Sequence, residues 1–79
     1  MDYMEAFIYI SEYLKGEGFW DISPEKRLGG YDDGIGLDSL ELAELTLAAE
    51  NEFDVVLKDF TSEMRLADAA RYLAENVKA

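Results

Sequence analysis

Apolar residues recur at helical intervals in three stretches of the chain, residues 2–15, 38–52 and 66–77. They fall three or four positions apart, the spacing that brings side chains to one face of an α-helix. A brief helical turn is predicted over residues 59–63. The pattern predicts an all-α fold: a small four-helix bundle, with three longer helices and one short third helix, in a single domain covering residues 1–79.

The first two helices carry matching start signals. Asp2 precedes Glu5 by three residues, and Asp38 precedes Glu41 by the same distance. In this arrangement, called a capping box, the two side chains accept hydrogen bonds from backbone N–H groups that the first helical turn leaves free. We therefore expect each helix to begin at its aspartate.

A long loop, residues 17–37, separates these helices and holds five of the six glycines. Such a loop without structure of its own is unusual in a small domain. A turn is expected at Ser23-Pro24, because proline suits the first position of a helical turn. We expect apolar side chains along the loop to pack onto the core: Phe19, Trp20, Ile22, Leu28, Tyr31, Ile35 and Leu37.

The second helix carries two apolar stripes, as its residues show when placed about 100° apart around the axis. One stripe is expected to face the core: Leu42, Leu45, Ala49 and Phe53. The other lies on the opposite side: Leu40, Ala43 and Leu47, flanked by Glu44 and Glu50. This second stripe either contacts the preceding loop or forms an exposed strip that binds a protein partner.

Charge favours the second of these interpretations. The chain has 18 Asp and Glu against 7 Lys and Arg, a net charge of −11, which argues against binding to nucleic acid or anionic membranes. Eight of the acids lie between Leu28 and Leu57, with no Lys or Arg among them: Asp32, Asp33, Asp38, Glu41, Glu44, Glu50, Glu52 and Asp54. The negative electrostatic field of this stretch attracts cationic partners.

Cysteine and histidine are both absent from the sequence. Disulfides, a structural zinc and nucleophilic triads of the Ser-His-Asp or Cys-His kind are therefore excluded. A carboxylate pair is still available, but so small a domain leaves little room for a substrate cleft. We expect a protein that is not an enzyme. The start MDYMEAF does not have the pattern of a secretory signal, and we expect a cytoplasmic monomer without a membrane span.

The second helix opens with the motif Gly36-Leu37-Asp38-Ser39-Leu40 and ends Glu50-Asn51-Glu52-Phe53-Asp54. This stretch resembles the second helix of acyl carrier proteins, also called phosphopantetheine-binding carrier domains. Residues 22–28 and 66–73 are similar to the family's first loop and last helix, so the resemblance covers most of the chain.

The resemblance implies that Ser39 is modified covalently. In the family this serine is esterified to 4′-phosphopantetheine by a phosphopantetheinyl transferase that uses coenzyme A. The thiol of the arm then carries acyl or aminoacyl groups as thioesters between enzymes. A helix N-terminus suits an attached phosphodiester, because its free N–H groups and dipole favour negative charge.

The same resemblance implies a surface that partner enzymes recognise. It comprises Asp38, Leu40, Glu41, Ala43, Glu44, Leu47 and Glu50. The implied partners are the transferase, an acyl- or adenylate-loading enzyme, and ketosynthase or condensation-type enzymes with basic docking surfaces. The pathway would be fatty-acid-like, polyketide or nonribosomal-type biosynthesis.

Three departures from the family pattern argue against primary fatty-acid synthesis. The loop is longer and richer in glycine than in the commonest type, Leu57-Lys58 stands where a proline is usual, and Arg65 replaces a threonine cap. Polyketide, polyene or nonribosomal-type pathways are at least as well supported, and the third helix is expected to be brief or displaced.

Two other functions are compatible with the residues. An acidic helical adaptor would use Leu40, Ala43 and Leu47 to bind a basic partner without any cofactor. A calcium site would use the acids that cluster around the loop glycines (Asp32, Asp33, Asp38 and Glu41), although the EF-hand spacing is absent.

The concentration of acids predicts that salt stabilises the fold. The melting temperature should be higher in about 150 mM than in about 10 mM sodium chloride, because the Debye length falls from about 30 Å to about 8 Å and screens the mutual repulsion. Thermal unfolding followed by circular dichroism measures the effect. A melting temperature that does not change with salt would show the repulsion to be unimportant.

Overall fold

The computed structural model describes residues 1–30 and 32–77 and contains three helices in that part of the chain. These are α1 (Tyr3–Gly16), α2 (Ser39–Phe53) and α3 (Leu66–Asn76), and each boundary lies within one residue of its prediction. Tyr31, one of the residues predicted to anchor the loop, lies outside the described residues. None of the three helices has the length and apolarity needed to cross a membrane.

Both predicted capping boxes are confirmed. Ahead of α2, the Asp38 carboxylate accepts a hydrogen bond from Glu41 N at 2.8 Å, and the Glu41 carboxylate accepts one from Asp38 N at 2.9 Å. Ahead of α1, Asp2 and Glu5 make the same exchange at 2.8 and 3.3 Å. The cap places the start of α2 at Ser39.

The core lies between the helices and the first loop. Its largest fully buried apolar side chains are Ile10, Leu14, Leu28, Leu45, Leu66 and Leu73. α1 and α3 form the closest helix pair, and the rings of Tyr9 and Phe53 meet edge to face at a centroid distance of 4.9 Å, which joins α1 to α2. The core-facing stripe of α2 is confirmed, since Leu42, Leu45 and Ala49 are buried and Phe53 is half-buried.

The loop over residues 17–38 is held by backbone hydrogen bonds rather than by helix. Leu28 N donates to Met64 O and Leu37 N donates to Leu28 O, both at 2.8 Å. The expected turn at Ser23-Pro24 is present and closes with Lys26 N donating to Ser23 O. Leu28 and Leu37 are buried, and three other anchors are half-buried: Phe19, Ile22 and Ile35.

The expected packing of Trp20 onto the core is wrong, because 83% of its surface is exposed. Gly18 and Asp21 have left-handed backbone conformations, with φ of 93° and 58°. The turn that they form brings Phe19 and Ile22 against the core and leaves the indole between them outside. An ion pair between Lys26 and Asp21 closes the turn.

The fourth helix of the predicted bundle is not confirmed: residues 55–65 hold a single turn, in which Met64 N donates to Thr61 O, and no helix. Side chains of α2 and α3 accept hydrogen bonds from backbone N–H groups of this segment. In a helix, those N–H groups would donate to carbonyl groups of the segment itself. Leu57 N donates to the Glu50 carboxylate at 2.7 Å, Lys58 N to the Tyr72 hydroxyl at 2.7 Å, and Phe60 N to Thr46 Oγ1 at 3.1 Å. These donors already have partners outside the segment, so they do not form the hydrogen bonds of a helix.

Gly34 lies so close to the backbone at Gly29 that an added Cβ would overlap the Gly29 carbonyl oxygen. We expect Gly34→Ala to lower the free energy of unfolding by about 1–3 kcal/mol, the usual cost of overpacking. Gly16→Ala is the matched control, because its Cβ would meet nothing within 4 Å and alanine favours the helix end that it occupies. Urea denaturation measures both variants. Equal midpoints for the two variants would contradict the predicted clash.

Candidate functional site

Ser39 is exposed and is the first residue of α2. The first turn of an α-helix leaves its N–H groups without intrahelical acceptors. The Asp38 carboxylate accepts a hydrogen bond from the N–H of Glu41. The N–H groups of Ser39 and Leu40 remain at the open end of the helix. A group attached to Ser39 therefore meets free donors and the positive end of the helix dipole.

The residues just before Ser39 hold its position firmly. Leu37 is buried, and its N–H is bonded to Leu28 O. Gly36 has a φ of 92°, which turns the chain from the loop into α2 at little steric cost. Ser39 thus lies two residues from a buried anchor, although its own side chain reaches solvent.

The second stripe of α2 is exposed, as the partner-surface interpretation predicted. Leu40 is 66% and Leu47 57% exposed, and Ala43 between them is also exposed. The two leucines are therefore available to a partner rather than covered by the preceding loop. Carboxylates accompany the strip: Asp38 and Glu44 are exposed and Glu41 is half-buried.

Glu50, predicted to belong to the same surface, has a structural contact as well. It is half-buried and its carboxylate accepts the hydrogen bond from Leu57 N. It therefore holds the extended segment against the C-terminal end of α2.

A narrow recess lies between α1 and α2 near Ser39. Its walls are acidic and aromatic: Tyr13, Glu17, Phe19, Leu37, Glu41 and Glu44. Burial, with a further contribution from Glu17 and Glu44, raises the pKa of Tyr13 above its ordinary value of 10.0. Burial, followed by the charges of Glu52 and Tyr13, raises the pKa of Tyr9 as well. Both pKa shifts therefore come first from burial of the phenols, and the neighbouring negative charges add to it.

The calcium hypothesis has no support from the geometry. Within residues 1–30 and 32–77, no three Asp or Glu side chains come together in a group that could hold a metal ion. Asp32, Asp33, Asp38 and Glu41 are therefore not assembled as cation ligands, and Asp38 and Glu41 instead cap α2.

Known proteins similar to this chain are acyl carrier proteins. The chain is 36% identical over 62 residues to that of Rhodopseudomonas palustris (strain BisB18), covering 73% of this chain and 78% of the relative. It is 36% identical over 66 residues to that of Desulforapulum autotrophicum, with coverages of 81% and 82%. For Phenylobacterium zucineum the identity is 35% over 63 residues, with coverages of 75% and 80%. No family model matches the chain, and no solved structure is a significant match.

A small helical domain that presents a serine at the capped start of an acidic helix has the form of a carrier domain. The identity and coverage of these relatives go further: the chain belongs to the acyl carrier protein family. The resemblance found in the sequence is thereby confirmed.

The raised pKa values of Tyr9 and Tyr13 predict a loss of stability at high pH. Because folding disfavours ionisation of both phenols, their stabilising contribution is complete below pH 10.0 and is lost as the pH rises through the folded-state values. The melting temperature of a Tyr9→Phe/Tyr13→Phe variant should therefore fall less than that of the unmodified protein between about pH 9 and about pH 11. An equal fall in the melting temperatures of the two proteins across this pH range would contradict the prediction.

Proposed function

We propose that the protein bears a 4′-phosphopantetheine arm on Ser39 and shuttles acyl or aminoacyl groups between biosynthetic enzymes. The observation that carries the proposal is the exposed hydroxyl of Ser39 at the first position of α2, within the Asp-Ser-Leu motif. It is supported by the family to which the chain belongs. The protein itself is then not a catalyst but a substrate of the transferase and of acyl-handling enzymes.

The residues present fit the arm. The N–H groups of Ser39 and Leu40 would hold the phosphodiester at the N-terminus of α2. The carboxylate of Asp38, the nearest negative charge in sequence, is engaged by Glu41 N, which offsets part of its repulsion. The arm supplies a thiol on which an acyl group is held as a thioester, a group that a chain without cysteine lacks.

The exposed strip of Leu40, Ala43 and Leu47 is the proposed contact with partner enzymes. Apolar side chains would form the centre of such an interface, and Asp38, Glu41 and Glu44 would pair with basic residues at its rim. Glu50 would contribute through the segment that it positions. The partners proposed are the transferase, a loading enzyme, and ketosynthase or condensation-type enzymes.

The pathway proposed is fatty-acid-like, polyketide or nonribosomal-type biosynthesis. The glycine-rich loop and the lack of a helix over residues 55–65 argue against primary fatty-acid synthesis, so the specialised pathways are proposed as at least as well supported. An acidic adaptor without a cofactor is the second candidate, and the exposure of Leu40 and Leu47 is the observation in its favour.

Incubation with coenzyme A and a promiscuous phosphopantetheinyl transferase tests the proposal. We expect the intact mass of the protein to rise by one phosphopantetheine, because the hydroxyl of Ser39 is exposed and its phosphodiester would lie at the helix N-terminus. Mass spectrometry before and after incubation measures the change. Ser62→Ala is the matched control, since it removes another exposed serine hydroxyl and should leave the modification intact.

Ser39→Ala should abolish the added mass. An unchanged mass for the folded unmodified protein, or equal labelling of Ser39→Ala, would refute the carrier proposal. The adaptor alternative makes the opposite prediction: Ser39→Ala would retain binding to a partner, and Leu47→Glu would lose it.

A further inference from the structure

Two arginines lie side by side on the surface of this acidic protein, whose net charge is −11. Arg27 belongs to the first loop and Arg65 precedes α3, and the two exposed residues face each other in an antiparallel bridge. The backbone hydrogen bonds of the bridge, both 2.8 Å long, join the residues on either side of the arginines: Leu28 N to Met64 O and Leu66 N to Lys26 O. In a pair of this kind both side chains lie on one face, with their Cβ atoms about 5 Å apart.

Neither guanidinium is neutralised by a carboxylate within residues 1–30 and 32–77. The ion pairs in that part of the chain involve other cations: Lys26–Asp21 and Arg71–Asp68. Asp68, the first acid of α3, instead accepts hydrogen bonds from the backbone N–H of Arg65 at 3.2 Å and from Arg71 Nη1 at 3.3 Å. Like charges directly opposite each other on adjacent strands are destabilising. Folding therefore does not explain why two of the 7 basic residues lie together.

The two side chains differ in how firmly they are held. Arg65 Nη1 donates a hydrogen bond to Glu25 O at 2.6 Å, which anchors its guanidinium at the surface. The Arg27 side chain makes no hydrogen bond to the described residues, and Arg27 supports the loop through its carbonyl, which accepts Ile35 N at 2.8 Å. A guanidinium presents its N–H donors in a planar fork that matches a carboxylate. An anchored guanidinium beside an unengaged one is therefore suited to binding carboxylates.

The arginine pair lies close enough to Ser39 for one partner to contact both. The Arg27 carbonyl oxygen is 2.8 Å from Ile35 N, and Ser39 follows Ile35 by four residues. Since four residues span at most about 14 Å, the backbone of Arg27 lies within about 17 Å of the backbone of Ser39. A standard protein interface covers about 800 Å² on each partner, a patch about 30 Å across.

We propose that Arg27 and Arg65 bind carboxylate side chains of an enzyme that acts on Ser39. The inference rests on the proposed function and adds a charge pattern to its partner: basic residues opposite the acids of α2, and an acidic segment opposite the arginine pair. A partner surface that is basic throughout would meet two like charges here, which weakens binding. The pair therefore selects among basic enzymes and fixes their orientation on the protein.

A capped tetraglutamate peptide tests the arginine pair without any modification of Ser39. It is titrated into the isotope-labelled protein at low ionic strength, and NMR follows the side-chain Nε–H signals of the arginines. We expect the signals of Arg27 and Arg65 to shift together and to saturate, whereas that of Arg71, which Asp68 already engages, stays in place. A capped tetralysine peptide should shift backbone signals of α2 and leave the arginine pair unchanged, because the acids lie there.

Two variants locate the effect. Arg27→Gln should weaken tetraglutamate binding about tenfold, because it removes a charged hydrogen-bond donor from the pair. Its fold should be retained, since Arg27 supports the loop through its backbone carbonyl, and circular dichroism verifies this. Arg71→Gln is the matched control: it removes the same charge from an exposed arginine that Asp68 and the ring of Tyr3 already engage, and it should leave the affinity unchanged.

A missing or unsaturable shift of the arginine pair, or an equal shift at Arg71, would overturn this inference alone. Saturation by inorganic phosphate without a response to tetraglutamate would also overturn it, because the pair would then be a phosphate site. So would shifts that appear on raising the protein concentration alone, since the acids of a second copy would then occupy the pair. Failure of the transferase to load Ser39 would instead overturn the proposed function, and with it the identity of the partner.

Discussion

Leu28 joins three separate parts of the chain at one point, and the rest of the fold depends on this junction. Its side chain is fully buried, its N–H donates to Met64 O, and its carbonyl accepts the N–H of Leu37. The chain has no disulfide and no histidine or cysteine to bind a structural metal, so buried contacts of this kind must order its long first loop. Ser39 lies only two residues beyond Leu37 and is positioned by the same junction.

The proposed partner surface follows from how charged and apolar side chains are divided between the two sides of α2. Leu42, Leu45 and Ala49 are buried, whereas Leu40 and Leu47 stay in solvent on the other side with carboxylates around them. The acids that repel one another within the protein are thus the same acids that, in the proposed function, would attract basic enzymes. A protein that passes its cargo among several enzymes benefits from a surface that attracts partners quickly and is not itself a deep cleft.

Sequence reasoning located most of this site, since the relevant signals are local. The cap at Asp38, the position of Ser39 and the two stripes of α2 depend on residues within one or two helical turns of one another. It failed at Trp20, which it placed on the core. An aromatic residue in a loop is expected to pack, but the sequence does not say which way its side chain points. Next to Trp20, Asp21 adopts a left-handed backbone conformation, which a glycine would have signalled in the sequence and an aspartate does not.

The sequence by itself determined the three helices, the caps of the first two and the place of Ser39 at the start of α2, because each of these depends on contacts between residues close together in the chain. Only the tertiary structure decided the form of residues 55–65. The N–H groups of Lys58 and Phe60 bond to Tyr72 and Thr46, each 14 residues away. Those acceptors come within reach only when α2 and α3 have packed, and these N–H groups then bond to them instead of to the carbonyls of a local helix.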